Sequence, residues 1–402
     1  MYYQTISELV YNITILSNKK LLNYLKSYYQ DDKFNTQIIL WDEKFSEIEN
    51  LKFLYSLKKC VKGLFPDLRL KFIDNNILND MSTYGYSKIK LDYTISFDVN
   101  IVSYILYQNT NNKCFKEAFI QVKENNWDFN PYIFENYLKF GDSFFTNEYI
   151  YKNIFELIKF IHPDKGKGFW LIELDRLYRN IKSHESSFQE FKDNLLRLQI
   201  FIMGLIYANF HFSKKEEKIE YMMELFDSKI GQFMLREFIY AIKFFNKEKP
   251  VFNFFSQKTQ TNISESKLIK NIENLAYDLL LIRNLEYFSS LKKVRQNIQV
   301  DAYIPFLFSG DKELLKLLDS VKIKALIITE YENIKKITPV YFEDLESLLD
   351  KNFINKYFQK DAVINRTKRN IDLEKNLEEM KKVLLNEISI TKNEDTNVYP
   401  TI

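Results

Sequence analysis

Apolar and polar residues alternate from Ser87 to Asp98, with Leu91, Tyr93, Ile95 and Phe97 on one face, and a period of two predicts a half-buried strand ending near Asp98. From there to Leu106 the period becomes helical. Upstream, from Met1 to about Ile89, helical patterns are interrupted by one short apolar run, Gln37 to Trp41, that reads as a strand. Downstream come a helical stretch around Cys114 to Lys123 and another opening at Pro131, a residue suited to a first helical turn, with Asn130 as its cap. Between about Phe140 and Ser264 the pattern is mainly helical, with amphipathic runs over Ser187 to Phe212 and Lys215 to Phe245 that predict an inserted helical subdomain. The polar stretch Ser256 to Ser266 reads as a linker. Then follow a helix (SKLIKNIENLAYDLLLIRNLEYF), a polar and basic connection, the strand AYIPFLFSGD, the helix KELLKLLDSV and the apolar run KALIITEY, which reads as a buried parallel-type strand. Strand, helix, strand, helix, strand in that order predicts right-handed βαβ connections. The tail from about Thr391 is expected to be disordered, and no internal repeat is visible.

Composition narrows the class without choosing a function. The 402 residues suffice for two or three domains, and 46% hydrophobic with 28% charged residues is the balance of a folding chain. Two cysteines, Cys60 and Cys114, make no disulfide framework and no CxxC, so a reducing cytosol is the expected location. The most apolar stretch, Ile200 to Phe210, is well short of the roughly 18 residues that span a bilayer. It predicts a buried helix, and no membrane association is expected. The N-terminus lacks a basic start followed by an apolar block, so no secretory signal is expected. A net charge of +3 announces no nucleic-acid binder, and any basic surface must be local. The 35 Phe and 27 Tyr suggest stacking surfaces, yet together with abundant Lys, Asn and Ile they fit AT-rich coding.

Three elements place an acid where the surroundings are apolar. Asp98 ends the first strand, Asp278 interrupts the helix NLAYDLLLIR, and Asp311 directly follows the strand containing Phe308. Ligands of open parallel sheets bind beyond the carboxyl ends of the strands, so Asp98 and Asp311 are expected at one cleft, with Asp278 joining from a helix alongside. In these motifs the chain resembles the PIN-like nuclease domains, over Leu91 to Phe140 and Leu268 to Tyr331. That family's first strand ends in an Asp followed two places later by Ser, Thr or Asn, here Asp98 and Asn100. Its late strand ends in Ser/Thr-x-Asp, here Ser309 and Asp311. The resemblance makes Asp278 the third acid and Glu135, in NPYIFENYL, the fourth.

Packed carboxylates repel one another unless a divalent cation neutralises them, and oxygen-only ligands suit Mg²⁺ or Mn²⁺. Such an ion can orient water for attack on a phosphodiester. The resemblance therefore makes Asp98, Asp278 and Asp311 the expected metal ligands, with Glu135 a ligand or an acceptor just outside them, all four as catalytic residues oriented by hydrogen bonds from Asn100 and Ser309. Arg283, Lys292, Lys293, Arg295, Lys312 and Lys316 lie around the later motifs and are candidates to hold phosphates. Each acid also has a plainer reading: Asp98 as part of a solvated face with Asp92, Thr94 and Ser96, Asp311 as a helix N-cap, Asp278 in a salt bridge, Glu135 as an ordinary helical residue. PDKGKGFW lacks a P-loop pattern, His162, His184 and His211 lack zinc spacing, and no GxSxG elbow exists.

The expected architecture is an α/β, three-layer PIN-like core with a central mostly parallel sheet, over 90–140 and 266–345, interrupted by a helical insertion at 141–265. A mixed helical extension, 1–89, precedes it. A C-terminal helical extension and flexible tail, 346–402, follows, with a small basic cluster at Arg366, Lys368 and Arg369 and an amphipathic helix that packs on the domain or on a partner. The resemblance implies a nuclease acting on RNA, in a toxin or phage-defence setting, with nucleic acid as partner and protein partners or a second copy engaged through the helical regions. The alternatives are an inactive PIN-like binding module and a helical interaction protein in which the acids are incidental.

Overall fold

Alternating and continuous apolar runs both become strands in the computed structural model, which describes residues 8–13, 18–30, 35–44, 54, 57, 59–73, 91–107, 120–122, 127–183, 185–259, 263–288, 294–295, 298–299, 302–331, 334–358, 366 and 369–397. The strands are β1 (Gln37–Trp41), β2 (Val61–Gly63), β3 (Leu70–Ile73), β4 (Leu91–Phe97), β5 (Trp127–Asp128), β6 (Val294–Arg295), β7 (Ile298–Gln299), β8 (Ala302–Phe308), β9 (Ile323–Tyr331) and β10 (Ile334–Tyr341). The chain divides into two compact units. One, the strand unit, comprises Met1–Asp98, Thr110–Asp128 and Ile282–Leu348; the other, the helical unit, comprises Val99–Asn109, Phe129–Leu281 and Leu349–Ile402.

The strand unit contains both four-stranded sheets, ordered β2-β8-β4-β5 and β10-β9-β1-β3. In the first, β4 runs parallel to both β8 and β5, while β2 is antiparallel to β8. The second is antiparallel throughout. The protein is therefore mixed α/β with parallel pairs in one sheet, and the expected βαβ link from β8 to β9 is corrected. A seven-residue β8 climbs about 23 Å, whereas the nine-residue helix Lys312–Ser320 returns only about 13 Å. The chain then enters the other sheet. There Ala325 to Thr329 are buried on both faces, giving the same continuous apolar run that a parallel strand would show.

The first 89 residues also differ from an extension. They supply β1 and β3 to the antiparallel sheet and β2 to the mixed one. The helix Asn18–Gln30 sets Leu21, Leu25 and Tyr29 at four-residue spacing, and these pack with Ile38, Leu40, Ile73, Ala325, Ile327 and Val340 in one core cluster. The stretch Cys114 to Lys123 lies mostly outside the described residues.

In the helical unit, the helix Glu185–His211 buries every residue from Ile200 to Ile206, so it is apolar all round where it crosses the interior. A Cβ at Gly204 would stand 2.3 Å from Leu225 Cδ2, so glycine there permits the close approach of the helix Lys215–Leu225. The helix Leu373–Asn397 packs along Glu185–His211. Its Leu373, Met380, Leu384 and Ile388 are buried, and Lys192–Glu374 and His211–Glu387 pairs flank the seam. Its backbone is helical to Asn397, beyond the point where a disordered tail was expected. Arg366, buried, pairs with Asp227 and donates to the Tyr357 carbonyl at 3.0 Å, and Arg369 donates to the Asp227 carbonyl. Those two arginines thus fasten the C-terminal segment to the π-helical turn Phe226–Ile230. Lys368 lies outside the described residues.

Candidate functional site

The parallel register of β4 and β8 sets Phe97 opposite Phe308, and the Asp98 N–H donates to the Phe308 carbonyl at 3.0 Å. Both strands leave the sheet at the same edge, with Asp98 beside Ser309. Neither side chain is solvated: Asp98 is 4% exposed and Ser309 1%. A buried carboxylate needs hydrogen bonds, and the Ser309 hydroxyl supplies one to Asp98 Oδ2 at 2.7 Å. The same hydroxyl accepts the Asp311 N–H at 3.0 Å. Asp311 Oδ1 in turn accepts from the backbone N–H groups of Glu313 (2.8 Å) and Leu314 (3.0 Å), capping the helix Lys312–Ser320. Ser309 Oγ is thus a hub between the two sequence-distant acids.

The neighbouring strand adds a residue that sequence reasoning missed. Asp128 stands opposite Ser96 at the end of β5 and accepts from Thr94 Oγ1 at 3.1 Å and Ser96 Oγ at 3.3 Å. Thr94, Ser96 and Asp98 alternate along one face of β4, and all three are buried, so the polar alternation that reads as a solvated face is an internal polar stripe. On the opposite face Phe97 stacks on Trp127 with ring centres 4.5 Å apart and meets Phe308 edge-on. Asp311, Asp98 and Asp128 therefore mark the carboxyl edge of three adjacent parallel strands. A two-residue strand offers no periodicity, and its only signal is the dipeptide Trp127-Asp128.

Asp278 belongs to the helical unit, where its Oδ2 accepts from Lys258 Nζ at 2.9 Å. Glu135, in the helix Asn130–Phe140 of the same unit, pairs with Lys139 one turn on. Lys139 also sits over the Tyr277 ring, 5.0 Å from its centre. Burial first, then the Glu135 and Glu273 carboxylates, push the Tyr277 hydroxyl well above its usual range. Glu135 and the helix carrying Asp278 are thus neighbours within one unit. Asn100 is exposed in the first turn of the helix Val99–Tyr107. Lys312 is exposed, Lys316 pairs with Glu313 at 2.7 Å, and Arg283 is part-buried in the helix Glu265–Phe288. Arg295 lies in β6, and Lys292 and Lys293 fall outside the described residues.

Among the described residues no group of three or more Asp, Glu, His or Cys side chains is placed to hold a metal ion. Mg²⁺ is commonly bound through only one or two carboxylates, completed by water and substrate phosphate; at this edge Ser309 joins the Asp98 carboxyl group to the Asp311 backbone N–H. Comparison with protein-family models, with curated proteins and with solved structures finds no match. No helix among the described residues is long and apolar enough to cross a membrane.

Proposed function

We propose that the protein is a metal-assisted phosphodiesterase, a nuclease of PIN-like design with its chemistry at the carboxyl edge of β4 and β8. The observation that carries this reading is the link from buried Asp98 through the Ser309 hydroxyl to the part-buried backbone N–H of Asp311, two acids 213 positions apart in the chain brought to one edge of a parallel pair. Asp98 and Asp311 would hold a Mg²⁺ or Mn²⁺ ion. When bound, that ion supplies a more acidic water and neutralises charge on the phosphate. Ser309 would hold the Asp98 side chain in place through its 2.7 Å hydrogen bond. Lys312, exposed and next to Asp311 in the chain, would meet a phosphate in this reading. Asp278 and Glu135 are held within the helical unit by pairs with Lys258 and Lys139. RNA is the preferred substrate on the strength of the resemblance, and the three-layer core belongs to the same proposal.

A second reading is favoured by those lysine pairs: a PIN-like module with an incomplete acidic set that binds nucleic acid without cutting it. End-labelled single-stranded RNA incubated with Mg²⁺ or Mn²⁺ separates the two. The nuclease reading expects chelator-sensitive cleavage that Asp98→Asn abolishes and Ser309→Ala slows roughly 10- to 100-fold. RNA bound but left intact by the wild-type protein with either metal supports the second reading and overturns the first.

A further inference from the structure

Exposed tyrosines meet within the helical unit. Tyr107 ends the helix Val99–Tyr107, Tyr149 stands in the first turn of the helix Glu148–Ile161, and their hydroxyls are hydrogen-bonded to each other. Both rings lie largely in solvent, Tyr107 54% exposed and Tyr149 58%. Tyr149 is nevertheless held at both ends. Its backbone N–H donates to the Asn147 cap at 3.1 Å, and hydrogen bonds from Tyr107 and then Asn153 draw its hydroxyl below the ordinary tyrosine pKa. Among the described residues no ring stacks on that of Tyr149. An aromatic face is thus left bare yet fixed, so little ordering cost remains when a flat ligand arrives.

Tyr149 lines an open hollow together with Phe145, Tyr151, Glu148 and Lys152. Glu148 and Lys152 stand four apart on the helix, a spacing at which such residues commonly pair, but among the described residues neither has an ion partner. The hollow therefore offers a ring face, a carboxylate and an ammonium. A cationic ligand would suit the rings and be repelled by Lys152, and an aliphatic acid would leave the ring face and Glu148 unused. A nucleotide uses all three: its base stacks, its amino or hydroxyl hydrogens meet Glu148, and its phosphate meets Lys152. We propose that this hollow binds one nucleotide of a single-stranded RNA, its base stacked on Tyr149 and its phosphate on Lys152. A base inside a duplex has no face to offer, so the site selects unpaired RNA. The inference rests on the RNA reading above for the choice of a strand over a free nucleotide.

The test is fluorescence anisotropy of the full-length protein in excess chelator, with a labelled short oligoadenylate, its duplex with oligouridylate, and AMP as competitor. The single strand is expected to bind, and the duplex roughly tenfold more weakly. Tyr149→Ala should weaken the strand roughly tenfold or more, and Tyr149→Phe, which keeps the ring and loses its tether, by less. Lys152→Gln should lower the salt dependence by about one phosphate contact. Circular dichroism checks that each variant is folded. AMP that displaces the strand only in large excess upholds the strand as ligand, and equal potency would overturn that choice in favour of a free nucleotide. Absence of strand binding, no preference over the duplex, or binding indifferent to Tyr149→Ala would overturn the proposal. Because these titrations contain no metal, a strand held through Tyr149 but never cut when Mg²⁺ is added leaves this inference standing and removes the nuclease reading.

Discussion

Ser309→Ala removes one hydroxyl and with it both links of the hub. The lost donor serves a carboxylate that is 4% exposed, over 2.7 Å, and the lost acceptor served the Asp311 N–H over 3.0 Å. A hydrogen bond to a charged group contributes about 1.5–3 kcal/mol, and a buried carboxylate that loses one donor keeps its desolvation cost. The neutral bond to Asp311 adds a smaller amount, because that N–H lies at a helix start where water can replace the partner. The expected loss is about 2–3 kcal/mol at neutral pH, or roughly 4–12 °C in Tm for a unit of this size. Urea denaturation followed by circular dichroism reads it. The companion variants Asp98→Ala and the double change close a cycle whose coupling should reach about 1 kcal/mol or more. A loss below about 0.5 kcal/mol, the range of ordinary surface changes, or strict additivity of the two changes would refute the claim that Asp98 depends on this hydroxyl.

The pair Asp319 with Lys322 and Lys62 predicts a pH effect: burial alone would raise the Asp319 carboxyl, but the two lysines outweigh it and hold it below its ordinary value. A lowered folded value means that the unfolded chain binds more protons, so this stabilisation is present above about pH 4 and fades as pH falls through the folded value. Asp319→Asn should flatten the acid limb of the stability profile, and an unchanged limb would contradict the assignment. Gly231 adopts φ +71° where the π-helical turn ends, and a Cβ there would lie 2.6 Å from Ile371 Cγ1; Gly231→Ala should cost at least about 1–2 kcal/mol by thermal denaturation, and a neutral result would mean the turn is not held as described. Asp278→Asn should lose only about 0.5–1 kcal/mol, the range for a partly exposed ion pair; a gain in stability would instead reveal like-charge crowding.

The parts of this architecture governed by local period were readable in the chain. The alternation at Leu91–Phe97 is β4, the apolar run through Ile200–Ile206 is a helix buried on all sides, and Asp311 caps a helix as its position suggested. Non-local pairing was not readable. A run such as Ile323–Tyr331 carries no mark distinguishing parallel from antiparallel partners once both faces are covered. Pro339, which cannot donate to a ladder, lies in β10 at the edge of its sheet, where that loss is tolerated. At the site, Asp98 and Ser309 were legible because each ends a recognisable strand. Asp128 was not, since its strand is two residues long, and the pairing of Asp278 with Lys258 depends on packing that local spacing does not encode, whereas Lys139 stands one helical turn from Glu135.

Calorimetric titration of Mn²⁺ into the metal-free protein tests most directly the proposal that Asp98 is the centre of a cation site. Binding to the wild-type protein that Asp98→Asn abolishes, Asp311→Asn weakens and Asp278→Asn leaves intact is the expected result. A wild-type protein that takes up no Mn²⁺, or uptake indifferent to Asp98→Asn, would contradict it.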